Sequence, residues 1–392
     1  MSDPVRIQEV LPYQLASGEA RTLEVFYTDP TRVPRGRTPV ILVHGIWGDM
    51  RIWQSGAPEP LPVPENGLHR GPPFRIPRTV QVDAPWEHPT GLWETLEQAG
   101  FPTLSWKQND ASGGLPGETD RELAAVIAFA LQTYGSHTVY LVAHSRGGVV
   151  CRAYLMDPHA AANVRALVTI GTPHWGSRLP AIPGQMEAWI VQALFGLLGL
   201  PGHVLAWFAT SLITRMINDF TARQLADFDM LAWREPPNPR LQAVMAQSSH
   251  QHIHYVAIAG VYPHVRDARI YHYELSSYLP QGWPPQFLWE ETTYPAPDQP
   301  AMKIPLSLSK IADRLNITAW QAMPEWYAES AIRPEGGDGV VSHRSAWFAD
   351  EERNPAHGYI KNYKFAWGHS LLTRQPEVQQ TILAELMACE NL

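Results

Sequence analysis

The sequence predicts an α/β fold, a mostly parallel sheet with helices on both faces, carried by one domain with long insertions. Three observations lead there. Short apolar runs bounded by turn residues recur along the chain, as buried strands do. Amphipathic segments of helical period lie between them. The two kinds of segment alternate, and strands joined by helical crossovers pair in parallel and are covered on both sides. Composition agrees: of 392 residues 45% are apolar and 17% charged, which suits a globular protein able to bury a sizeable core.

The first strand is the run PVILV at 39–43, leading into His44-Gly45. Residues 91–99 read as a helix and 101–106 as the next strand. Segment 118–134 is an amphipathic helix, with Leu123, Val126, Ile127, Ala130 and Leu131 recurring at helical spacing. TVYLVA at 138–143 is again a buried strand, and 149–156 resumes as helix. VRALVTI at 164–170 and IHYVAIA at 253–259 complete the central strands. A last helix is expected to begin at Pro376, since proline suits the first turn, and to run to about Met387.

Three stretches interrupt this rhythm and read as insertions in a single domain spanning 1–392. Residues 57–89 hold nine prolines and no strand or helix pattern. Residues 178–245 enclose a segment, 188–214, without Asp, Glu, Lys or Arg. Residues 265–335 are rich in Tyr, Trp and Pro and lack a clear period. The 36 prolines cluster in such patches, which points to ordered long loops. There is no internal repeat.

A net charge of −8, with no run of Lys and Arg, gives no reason to expect a nucleic acid partner. The N-terminus, MSDPVRIQEVLPYQL, lacks a basic region followed by an apolar core. No secretory signal is therefore expected, and the cytoplasm is the default. Cys151 and Cys389 read as two free thiols, Cys151 on a buried helix surface.

The chemistry centres on VYLVAHSRGGVV at 139–150: a strand, a tight turn at Ser145, then a helix. A nucleophilic serine must project from a sheet with its hydroxyl free, which forces a strained strand–turn–helix. Small residues are needed around it because the helix starts hard against the strand, and Ala143 and Gly147 flank Ser145 at −2 and +2. The helix N-terminus favours developing negative charge. His144, on the other side of a sharp turn, takes a structural role.

AHSRGG resembles the nucleophile elbow of bacterial true lipases, which are α/β-hydrolases, especially the bacillus-type branch with alanine in place of the first glycine. VHGIWG at 43–48 resembles the oxyanion loop of that family, and GTPHWGS at 171–177 the segment after the next strand. The resemblance runs from about Pro39 to about Met387, with the three insertions departing from it. It implies an α/β-hydrolase fold with an inserted helical lid, and hydrolysis of carboxylic esters with apolar acyl chains. Arg146 departs from the family, which often has a neutral residue there. Its charge is expected near the rim of the site, pairing with an internal acid in preference to drawing in an acidic substrate.

Acyl transfer needs donors aimed where the tetrahedral oxygen will sit. One expected donor is the backbone N–H of Arg146; the resemblance implies that of Ile46 as the second. His44 is expected to hold this loop by hydrogen bonding. Trp47 and Trp175, in the two flanking motifs, are candidate substrate contacts. The acid should follow the serine in chain order. Asp338 in GGDGVV is the candidate, in a setting similar to the family's D-G-x-V, although Asp-Gly is also an ordinary turn. The base is then a histidine beyond it: His343, His357 or His369. His343 lies too near in sequence to fold back on Asp338. His369, in WGHSLLTRQPEV, sits in a region similar to the family's H-x-x-L-L-x-x-P-x-V and is preferred, with His357 as the fallback.

In such lipases the region of 188–214 forms a lid over the cleft. Attachment to a membrane surface and a buried dimer contact are the other readings. Pro201-Gly202 divides the segment into pieces too short to span a bilayer. Bacillus-type lipases bind zinc and calcium, but no ligand set matches here. His252 and His254 would share one face of a strand, yet zinc needs at least two further ligands, so no metal is expected. The chemistry calls for no cofactor. The same triad could also serve a polyester or a lipid-anchored amide, and a non-catalytic binding module is the alternative of a different class. Serine at the elbow excludes the hydrolases that use an aspartate nucleophile. Oligomeric state is not legible.

Overall fold

The computed structural model describes residues 6–34, 36–45, 50–54, 91–109, 115, 117–177, 228–231, 238–260, 290–291, 302–303, 337–338, 341–348, 359–365, 369 and 372–390. Eight strands form one sheet: β1 (Arg6–Gln14), β2 (Ala20–Thr28), β3 (Val40–Val43), β4 (Thr103–Lys107), β5 (Val139–His144), β6 (Val164–Ile170), β7 (His254–Gly260) and β8 (Ile360–Phe365). Their order is β1-β2-β4-β3-β5-β6-β7-β8. β2 runs antiparallel to both neighbours, and every other neighbouring pair is parallel.

Alternation of side chains along the strands builds two cores. Ile41, Val43, Leu141, Leu167, Tyr255 and Ala257 point to one face, against α2 (Thr119–Tyr134), α3 (Arg146–Tyr154) and α4 (Pro239–Gln247). Val40, Leu42, Tyr140, Val142, Val168, Val256 and Ile258 point to the other, against α1 (Leu92–Gln98) and α5 (Pro376–Glu390). Every residue of β3, β5 and β7 is buried, the physical reason that these strands appear in the sequence as unbroken apolar runs.

The five expected strands fall on β3 to β7, shifted by two residues at most. β1, β2, β8 and α4 were not anticipated. β1 and β8 are edge strands with one half-solvated flank, and β8 (IKNYKF) carries two lysines, so neither shows a continuous apolar run. α3 starts at Arg146, three residues earlier than expected. Gly147 and Gly148 look like turn residues in sequence, but here they let the helix begin against the sheet: a Cβ on Gly147 would lie 2.4 Å from the carbonyl oxygen of Val43.

Residues 57–89 and 188–214 lie outside the described residues. Within 265–335 a short antiparallel pair is described, Glu290–Glu291 with Met302–Lys303. Among the described residues no helix is long and apolar enough to cross a membrane. Cys151 and Cys389 are both free and buried, and burial pushes the Cys151 thiol pKa upward.

Candidate active site

Ser145 stands between the end of β5 and the start of α3 at φ 56° and ψ −131°, the one non-glycine residue of positive φ among those described. Such a conformation costs about 1–3 kcal/mol and persists only where its surroundings enforce it. Here the Ser145 N–H donates to the Ile170 carbonyl at 2.8 Å. On the other side the chain after β3 lies against the serine, since a Cβ on Gly45 would come 2.7 Å from the Ser145 Cβ and 3.3 Å from its Oγ.

Asp338 and His369 meet beside this turn. Asp338 is 2% exposed, and its Oδ2 lies 2.7 Å from His369 Nδ1. Its Oδ1 accepts from the Val341 N–H at 2.7 Å, while its own N–H donates to the Val341 carbonyl at 3.1 Å and its carbonyl accepts from the His369 N–H at 2.8 Å. A carboxylate can only accept, so Nδ1 carries the ring proton and Nε2 is left as a proton acceptor. His144 connects the pair to the serine: its Nε2 donates to the His369 carbonyl at 2.9 Å, and the two rings pack 4.6 Å apart.

Gly171, directly after β6, closes this pocket from below. It has φ 57°, and a Cβ there would lie 2.8 Å from Asp338 Oδ2 and 2.9 Å from His369 Nδ1. Sequence reasoning noted its motif but gave this residue no role. A glycine directly after a buried strand was the available signal.

A profile described as the alpha/beta hydrolase fold matches residues 86–227, and the eight-stranded sheet with its second strand reversed agrees with it. The chain has the α/β-hydrolase fold. Three solved structures illustrate what it is similar to. A lipase of Bacillus licheniformis in mature form is 16% identical over 92% of this chain and 97% of its own, with a TM-score of 0.40. Naproxen esterase of Bacillus subtilis is 8% identical over 97% of this chain and 92% of its own, at 0.41. An esterase from a Rhodococcus species is 11% identical over 97% of this chain and 99% of its own, at 0.39. No match is found among curated proteins.

In this fold the loop after β6 and the segment carrying Asp338 are clamped by Ser345. Its carbonyl accepts from the His174 N–H at 3.0 Å, and its Oγ accepts from the Trp175 N–H at 3.1 Å and donates to the Gly176 carbonyl at 2.5 Å. His174 is fully buried with Nε2 3.2 Å from Thr169 Oγ1; burial, helped by the charge of Arg152, holds its pKa well below the ordinary imidazole range, so it stays neutral. Trp175 is partly buried against the core on the α2–α3 face.

Ile46, Trp47 and His357 lie outside the described residues. His343 opens the short helix His343–Ala346, its ring edge-on to Trp347 at 5.1 Å. Arg146 departs from the expected rim position. It is 1% exposed, and its guanidinium runs inward along the start of α2, donating to Gln108 Oε1 at 2.8 Å and Thr119 Oγ1 at 3.1 Å. As the first residue of α3 it leaves the helix beside Thr119 at the N-terminus of α2, buried away from solvent.

His252 and His254 do not share a face. β7 begins at His254, so the two-residue period of a strand does not extend back to His252. His252 Nε2 meets the Ala161 carbonyl at 3.0 Å, whereas His254 Nε2 meets Glu385 Oε2 at 2.9 Å. Glu385 also accepts from Lys361 at 2.7 Å and from Tyr363. Burial alone would raise the Glu385 carboxyl; these donors outweigh it and hold it low. No group of three or more His, Cys, Asp or Glu side chains among the described residues is arranged to hold a metal.

Proposed function

We propose that this α/β hydrolase cleaves carboxylic esters with apolar acyl chains, with Ser145 as nucleophile, His369 as base and Asp338 as acid. The observation that carries this is the buried 2.7 Å contact of Asp338 with His369 Nδ1, next to a serine in a strained turn at a helix start. Ser145 Oγ attacks the ester carbonyl carbon while His369 Nε2 takes its proton. The oxygen that becomes negative is met by the backbone N–H groups of Arg146 and Ile46, at the positive end of α3. Collapse breaks the bond to the alcohol, which leaves with the proton held by His369. Water, deprotonated by the same nitrogen, then attacks the acyl-enzyme, releases the acid and restores Ser145. Asp338 holds the imidazole in its working tautomer throughout. Trp47 and Trp175 are assigned to substrate contact.

Gly171→Ala tests the floor of the site. The added methyl needs a backbone conformation that alanine rarely adopts and displaces Asp338 and His369 from each other. Turnover should fall on the order of 10²-fold, as a misplacement of about 1 Å can elsewhere, and stability by about 1–3 kcal/mol. Steady-state kinetics and thermal unfolding read the two effects; unchanged turnover would show that the pair does not depend on this close approach.

The apolar segment 188–214 is proposed as a lid, because exposed apolar surface costs about 25 cal/mol per Å² and a lipid surface removes that cost. A panel of esters of rising acyl length, assayed below and above the solubility limit, tests substrate class and lid together. Specific activity should rise with acyl length and again past the limit, and Leu197→Ser with Leu198→Ser should blunt the second rise. Hydrolysis confined to short soluble esters would remove the lipase reading, and absence of ester hydrolysis the whole proposal.

A further inference from the structure

We propose that Gln108 is the positioning residue of the oxyanion hole, and that the buried side chain of Arg146 serves to set the direction of its amide. This rests on the hydrolase reading above. The strand order places β4 beside β3 and β3 beside β5, so the residue after β4 reaches the loop after β3 and the elbow after β5 at once. Gln108 is that residue, and it is 5% exposed. Its Nε2 donates to the His44 carbonyl at 2.9 Å, and its Oε1 accepts from Arg146 NH1 at 2.8 Å.

The direction of the amide follows from donor chemistry. A guanidinium has no acceptor, so the oxygen end of Gln108 must face Arg146, which leaves the NH₂ end for His44. The His44 carbonyl, which can only accept, requires the same direction, so the amide is fixed at both ends by partners of opposite kind. A second contact ties the same two residues through the backbone of Gln108: His44 Nδ1 donates to the Gly45 carbonyl at 3.0 Å. Its Nε2 then accepts from the Gln108 backbone N–H at 3.5 Å.

The partners of this amide are themselves held. Trp106 Nε1 and the Asn109 N–H, on either side of Gln108, donate to the two oxygens of Glu122 at 2.9 Å and 3.1 Å, and Arg146 also grips Thr119 at the start of α2. The peptide between His44 and Gly45 is planar. With its oxygen held by Gln108, its N–H is fixed on the opposite side. Gly45 lies against Ser145 with no room for a Cβ, so a small turn of this peptide moves Gly45 against the nucleophile. One side-chain amide thus joins Arg146, whose backbone N–H serves the hole, to the chain leading to Ile46.

The informative variant is Gln108→Glu. It keeps an acceptor for Arg146, now as an ion pair, and loses the donor, setting a carboxylate oxygen against the His44 carbonyl. With a short soluble ester, kcat should fall about 10- to 100-fold with KM within about three-fold. Affinity for an alkyl boronic acid, which forms a tetrahedral adduct on serine, should fall in the same proportion as kcat, while affinity for a non-hydrolysable amide analogue is kept. Arg146→Gln, a milder change, should lower kcat in the same sense, and its effect should not add to that of Gln108→Glu. Folded variants with wild-type kcat and boronate affinity would overturn the role of Gln108, as would losses that merely follow a lowered Tm. If either variant fails to fold, the other decides. Wild-type protein that neither hydrolyses esters nor labels at Ser145 would overturn the hydrolase reading, and this role with it.

Discussion

Ser145→Ala is expected to abolish ester turnover and labelling by a fluorophosphonate probe while leaving the protein folded. The substitution removes one oxygen and nothing else that the fold depends on. The Ser145 N–H still bonds Ile170, and alanine meets the same backbone strain at φ 56° that serine already bears. On the proposed mechanism the whole covalent route is lost with this hydroxyl, and a loss of about 10⁶ in kcat is the scale for such a removal. Circular dichroism and thermal unfolding should match the wild type. Labelling that persists at the wild-type rate would show that Ser145 is not the nucleophile.

Asp338→Asn should lower turnover by about 10⁴, the scale of losing the working tautomer in other triads. The local hydrogen bonds dictate which way the new amide turns. Oδ1 accepts from the Val341 N–H at 2.7 Å, so the asparagine oxygen is held there and its NH₂ faces His369 Nδ1. A donor at that point requires Nδ1 to be unprotonated, which moves the ring proton to Nε2, the nitrogen that accepts from Ser145 in the proposed mechanism. Stability should change little, because the substituted group keeps its size and its contact to Val341. His369→Ala should cost turnover comparably, whereas His343→Ala and His357→Ala should retain most of it. Rates of purified variants on one soluble ester decide this, and a reverse ranking of the histidines would move the base elsewhere.

The central strands and the elbow were legible in the sequence because local chemistry specifies them. β3, β5 and β7 are buried along their whole length, so each had to be a short, mostly apolar run, and β6 departs from this only at Arg165. AHSRGG had to combine a strand end, a tight turn and small residues for the helix to start where it does. The edge strands β1 and β8 carry no such constraint and left little trace. What depends on contacts between distant segments was not legible. Three histidines follow Asp338, and only the fold decides that the ring of His369, 31 residues on, lies against its carboxylate. Gly171 belongs to a motif in sequence, but its reason for being glycine comes from its positive φ and from two side chains far along the chain, those of Asp338 and His369. Arg146 looked like a rim charge because sequence shows a residue's type and not its direction. Its course toward Gln108 and Thr119 is set by the packing of α2 beside α3. Periodicity and turn chemistry are properties of a few neighbouring residues, whereas a site made of side chains from distant segments exists only once the sheet order has brought those segments together.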